Sequence, residues 1–104
     1  MKSKEIIETA GNLVSGPRAG THGEKLPNHQ NIADLWNAYL GLQPDQRKLD
    51  RQITALDAAL MMALLKVART KLGSHNVDNY VDLAGYAGVA GEIAELIHGT
   101  PPHA

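Results

Sequence analysis

The chain has 104 residues and no cysteine, with ten Lys+Arg against eleven Asp+Glu for a formal net charge of −1 with its five histidines neutral. That length suits a single domain over 1–104, whose modest core makes assembly into a homo-oligomer a natural way to bury more surface. The composition excludes a disulfide framework or thiolate metal site, lacks the basic footprint of a duplex nucleic-acid binder, and holds no apolar run near the ~18 residues of a membrane span.

The opening MKSKEIIE lacks the apolar stretch of a signal peptide, which points to a cytoplasmic protein. Residues 3–14 read as a first helix. Ser3 is placed as N-cap, and Ile6, Ile7, Ala10, Leu13 and Val14 form an apolar stripe. Gly16-Pro17 stops it. The segment from Ser15 to Pro27, with three glycines and two prolines, reads as a long Gly-rich loop, a type that usually carries function. Within it Arg18, Thr21 and His22, followed by Asn28 at a helix start, are candidates to meet an anion with backbone N–H groups.

A second helix is expected from about Asn28 to Leu40, burying Ile32, Leu35, Trp36, Tyr39 and Leu40, with Gly41 at its end. QPDQRKLDRQ then reads as a polar linker. The third helix opens on Thr54-x-x-Asp57, a capping-box pattern. Its run from Ala58 to Leu65 is apolar on every side, so the helix is either central in the domain or turns one half toward a partner subunit. Lys66, Arg69 and Lys71 follow near its C-terminus, where cations suit the helix dipole, before Gly73. A fourth helix runs from Asn76 or Val77 to about His98, with Gly99 as its cap and a frayed tail over 100–104. Gly85, Gly88 and Gly91 inside it suggest close approach to another helix or a ligand, because each interior glycine costs about 1 kcal/mol relative to Ala. The short connector makes helices three and four an antiparallel hairpin. The expected fold is all-α, with about four helices.

Chemistry concentrates at the end of that hairpin. Asp78, Asn79, Asp82 and Tyr86 share one side of the fourth helix. Two carboxylates there need compensation, from a divalent cation or from Lys66 and Arg69 on the facing helix. The same basic pair is suited to clamp a phosphate, with Arg69 as a planar fork and Lys66 as a point charge. A salt-bridged hairpin end with no ligand is the structural alternative, and roughly half of such arrangements are no more than that. The histidines form no metal-binding pair by spacing, and no nucleophile–base pair stands out.

The segments GPRAGTHG, NIADLWNAYLG, DAALMMALLKVART and DNYVDLAGYAGVAGEIAE together resemble a small uncharacterised domain of phage and prophage genes, over about Leu13 to Glu95. That domain in turn looks like a distant relative of the MazG-like all-α nucleotide pyrophosphohydrolases and of phage nucleotide-modification-associated domains. The resemblance implies a MazG-like fold and a nucleotide ligand in the host-cell cytoplasm. The ExxD motif of the pyrophosphohydrolases falls on Asn79-Tyr80-Val81-Asp82, with an amide at the glutamate position, and their upstream ExxE has no counterpart. Magnesium chemistry needs those carboxylates, so the resemblance leans away from an enzyme. The leading expectation is a phage-type sponge that sequesters a nucleotide or a cyclic or ADP-ribose-derived immune signal, with no cofactor. Its ligand set is Arg18, His22, Asn28, Lys66, Arg69, Asp78, Asn79, Asp82 and Tyr86. One alternative is a magnesium-dependent nucleoside triphosphate pyrophosphohydrolase using Asp82, Asp78 and Asp57. The other is a purely structural interaction protein.

Overall fold

The computed structural model describes residues 1–15, 24–42 and 52–99 of the chain. Among these residues there is no strand, and four α-helices follow one another: α1 (Ser3–Ser15), α2 (Lys25–Leu40), α3 (Ala55–Arg69) and α4 (Asp78–His98). The chain is all-α. Helices α3 and α4 form the most extensive contact, α1 lies on α4, and α2 lies chiefly on α3. Most of the Gly/Pro segment, residues 16–23, and the tail over 100–104 lie outside the described residues.

The core is built from small side chains. Ala55 and Ala59 of α3 meet Val89, Ala90 and Ile93 of α4, and Val14, Leu26 and Leu56 close around them. Interaxial distance is set by the side chains at the contact, so alanine on α3 lets α4 come close, and Ile93 is the one large side chain fully enclosed among the described residues. Leu26 reaches this cluster from the first turn of α2, and Lys25 beside it pairs with Glu92 at 3.4 Å.

Helix α3 begins as its sequence predicts. The Thr54 hydroxyl accepts from the Asp57 amide and the Asp57 carboxylate accepts from the Thr54 amide, both at 3.0 Å. Its apolar run divides cleanly. Ala55, Ala58, Ala59 and Ala63 are buried, while Leu60, Met61, Leu64 and Leu65 remain 42–64% exposed. The helix is therefore not enclosed on all sides; within its first three turns the alanines face the domain, Leu56 and Met62 are half-buried, and Leu60, Met61, Leu64 and Leu65 face outward.

Helix α2 departs from expectation in two respects. It starts at Lys25, three residues before Asn28. Pro27 fits in its first turn because the first amides of a helix have no intrahelical acceptor. Its buried face is His29, Ala33 and Asn37. Ile32 and Trp36 are only half-buried, and Leu35, Tyr39 and Leu40 are exposed, Tyr39 to 90%. The cause is polar. The Asn37 amide nitrogen donates to the Ile53 carbonyl at 2.9 Å, and its oxygen accepts from the Ile53 amide at 2.8 Å. That two-point clasp turns the Asn37 side of the helix inward, and His29 joins it with Nδ1 at 2.8 Å from the Lys25 carbonyl. Gly41, at φ 70°, then ends α2, its amide donating to Ala38 and that of Leu42 to Asn37, the paired bonds of a Schellman motif.

Helix α1 runs one residue further than expected, and Ser3 is its first residue rather than its cap, since the Ile6 amide donates to the Lys2 carbonyl. Ala10 is buried and Ile6, Leu13 and Val14 half-buried, but Ile7 is 64% exposed. On α4, the close approach expected of the three glycines exists at one of them. A Cβ at Gly85 would stand 3.5 Å from Val14 of α1, whereas none at Gly88 or Gly91 would meet any described atom within 4 Å.

Two stability outcomes follow from this packing. Asn37→Ala removes both bonds to Ile53 and should destabilise by about 1–3 kcal/mol in urea unfolding. Gly88→Ala and Gly91→Ala enter open space in a helix interior, so each should stabilise by about 0.5–1 kcal/mol. For a domain of this size that raises Tm by several degrees in a thermal melt.

Candidate functional site

The hairpin between α3 and α4 turns through residues 70–77, with Gly73 at φ 81°. The last amides of α3 fold back on its own carbonyls, Thr70 to Lys66 and Val67, and Lys71 to Ala68. Helix α4 is opened by Asn76, whose side-chain oxygen accepts from the Asp78 amide at 3.0 Å. Val77, the residue before the helix, contributes no side-chain cap. The basic tail of α3 and the acidic head of α4 thus stand side by side, and each sign of charge sits at the helix end that favours it.

Within this end, Lys66 and Asp82 are joined. Lys66 Nζ lies 3.0 Å from Asp82 Oδ2, with the lysine side chain 13% exposed and the aspartate 34%. The ammonium compensates the deeper of the two carboxylates on α4. Lys66 therefore serves the hairpin rather than standing open to a ligand. Arg69, one turn on, is exposed and pairs with no acid among the described residues.

Beside Arg69 lies an open cleft of about 420 Å³, lined by Leu65, Ala68, Arg69, Leu72, Gly73, Ser74, Asn76 and Asn79. One wall is aliphatic, the other carries a guanidinium, a hydroxyl and two amides. At the same turn the rings of His75 and Tyr80 approach, with centroids 6.2 Å apart and planes tilted by 42°.

Of the residues singled out from sequence, Arg69 and Asn79 share the cleft and Lys66 and Asp82 share the ion pair. Asp78 is exposed in the first turn of α4, next to the cleft but not lining it. Tyr86 is half-buried, seven residues and so about 10 Å along α4 from Asn79. Asn28 belongs to the first turn of α2, which Lys25 anchors at Glu92, ten residues or about 15 Å along α4 from Asp82. Arg18 and His22 lie outside the described residues. Ser74, Asn76 and Leu72 were missed. Their signal was the turn sequence Leu72-Gly73-Ser74-His75-Asn76, which reads as a mere connector until the hairpin closes over it.

The magnesium set implied by the sequence resemblance does not fit these residues. One oxygen of Asp82 is held by an ammonium, position 79 offers an amide, and no three His, Asp or Glu side chains gather among the described residues. Mg²⁺ favours carboxylate oxygens in octahedral array, and the described residues do not supply one. Removing Lys66 and Asp82 singly and together should show a coupling of about 0.5–1 kcal/mol in a double-mutant cycle, reduced by added salt as expected for a pair partly open to water.

None of the described helices is long and apolar enough to cross a membrane. The chain is similar to the Gene 55 protein of Mycobacterium phage L5, with 42% identity over 84 residues covering 81% of this chain and 49% of that protein. It is also similar to the Gene 55 protein of Mycobacterium phage D29, with 34% identity over 100 residues covering 95% of this chain and 60% of that protein. The chain thus spans about half to three-fifths of the length of these relatives. No solved structure matches it. A family model described as "Domain of unknown function (DUF6378)" matches residues 5–94, and the chain belongs to that family.

Proposed function

We propose that this chain binds a nucleotide or nucleotide-derived phosphorylated small molecule in the cleft between α3 and α4, and holds it without turning it over. The observation that carries this reading is Arg69, a guanidinium without an acidic partner among the described residues, on the rim of a cleft with one aliphatic wall. A planar fork suits a phosphate bidentately. Leu65, Ala68 and Leu72 offer apolar surface to a base or ribose, and Asn79 and Ser74 offer donors and acceptors to its edge. Lys66 contributes by neutralising Asp82, which would otherwise repel an anion. The phage setting of the relatives suits a sequestering role, as a sponge for a nucleotide immune signal. The likeness to MazG-like pyrophosphohydrolases supports a nucleotide as the ligand class, while the amide at Asn79 and the engaged Asp82 favour holding over hydrolysis.

The test is direct. Purified chain is heated and the released small molecules are identified by mass spectrometry, and a panel of nucleotides, cyclic dinucleotides and ADP-ribose derivatives is then titrated calorimetrically with and without Mg²⁺. Arg69→Ala should weaken binding at least ~tenfold, the loss of a charge-assisted bidentate contact, with Tm little changed. Lys66→Ala should lower Tm instead. No retained ligand and no heat from any member of the panel, or equal affinity in Arg69→Ala, removes the reading. Pyrophosphate release with Mg²⁺ replaces it by the hydrolase.

A further inference from the structure

The outward side of α3 carries an inference independent of the cleft's ligand. Asp57, Leu60, Leu64, Ala68 and Lys71 are all exposed, Leu60 to 46% and Leu64 to 64%. The first four recur at three- and four-residue spacing on α3 within a sector of roughly 80° around the helix, and Lys71 follows three residues after Ala68 in the turn just past the helix end. Met61 and Leu65, 42% and 43% exposed, flank this stripe. No charged residue interrupts the helix between Asp57 and Lys66. Depletion of charge at the centre with charge at the rim is the composition of an association surface.

What distinguishes this stripe is that it complements itself. A second α3 laid antiparallel across it, with a two-fold axis through Leu64, sets position i against position 128 − i. Leu64 then meets the partner's Leu64 at the axis. Leu60 meets the partner's Ala68, a large residue over a small one, which is how helix ridges seat in grooves. Asp57 meets the partner's Lys71, an acid against a base at each end. Capping engages Oδ2 of Asp57 with Thr54, and the carboxylate keeps a second oxygen for an ammonium. Moving the axis one turn toward the start of α3, to Leu60 or Met61, sets Asp57 against Ala63 or Leu65, so the charges define the register as well as the orientation.

We infer that this face is an isologous dimer interface, occupied by a second copy of the chain with the two α3 helices antiparallel about Leu64. Isologous contacts of this kind are the commonest route to closed homo-oligomers. Ala68 also lines the cleft, so the partner's Leu60 borders the site, and ligand and dimer remain separable by the residues each one needs.

The absence of cysteine provides a clean readout. In sedimentation equilibrium the full chain should show a monomer–dimer equilibrium, and Leu64→Glu, which sets like charges face to face at the axis, should weaken it at least ~tenfold. Because Leu64 is exposed, the variant should retain native helicity by circular dichroism. On mild oxidation Leu64→Cys should form a disulfide-linked dimer readily. Lys71→Cys should not, because in the antiparallel register the two copies of position 71 stand about 21 Å apart. A chain that stays monomeric to millimolar concentration overturns the inference and leaves the face to a different partner. So does a dimer that Leu64→Glu leaves intact, and cross-linking of Lys71→Cys as fast as Leu64→Cys overturns the register.

Discussion

The distance between α3 and α4 governs the rest of this molecule. Ala55 and Ala59 present little bulk, and Val89, Ala90 and Ile93 pack with them into one buried cluster. Once that seam is closed, the hairpin has a defined far end, and Lys66 and Asp82 meet there because antiparallel helices bring late residues of one beside early residues of the other. The turn carrying Gly73, Ser74 and Asn76 is then left standing beside Arg69 as a cleft. A bulkier α3 would separate the helices and lose both the pair and the cleft wall. Among the described residues the core is built mostly of small side chains, and large apolar ones lie on the surface, Leu35, Tyr39, Leu60 and Leu64 among them.

Much of this was legible in the residues. The capping box at Thr54 and Asp57, the stop at Gly41, the hairpin and its opposed charges follow from local chemistry, in which a side chain acts on its own turn or the next. The rotation of α2 was not legible. Apolar periodicity pointed to Leu35, Tyr39 and Leu40, but Asn37 decides the matter through a backbone partner sixteen residues away. Polar specification of that kind leaves no periodic trace. The same limit applies to α3. A run of Ala, Leu and Met is uniformly apolar to a pattern count, whereas packing sorts it by size, alanines in and leucines out.

The candidate site divides in the same way. The approach of Lys66 to Asp82 follows from facing helix ends, whereas Arg69, expected near Asp78 or Asp82, lines the cleft with Asn79 instead. Asn28 was grouped with them only through an assumed neighbourhood, and the anchoring of Lys25 at Glu92 puts the start of α2 elsewhere along α4. Membership of the DUF6378 family and similarity to Gene 55 proteins of two mycobacteriophages give the chain its relatives without assigning chemistry to any residue. That assignment rests on charge and shape at one end of a hairpin. An arginine with no acidic partner among the described residues, beside an aliphatic wall, is a more specific feature than net charge, which at −1 is silent about phosphate.

The clasp between Asn37 and Ile53 has a consequence beyond orienting a helix. Ile53 directly precedes Thr54, the residue that caps α3, so the same two bonds fix where α3 begins relative to the last turn of α2. The capping box at that start therefore acts as a joint as well as a guard against fraying, and it passes the placement of α2 on to the helical seam.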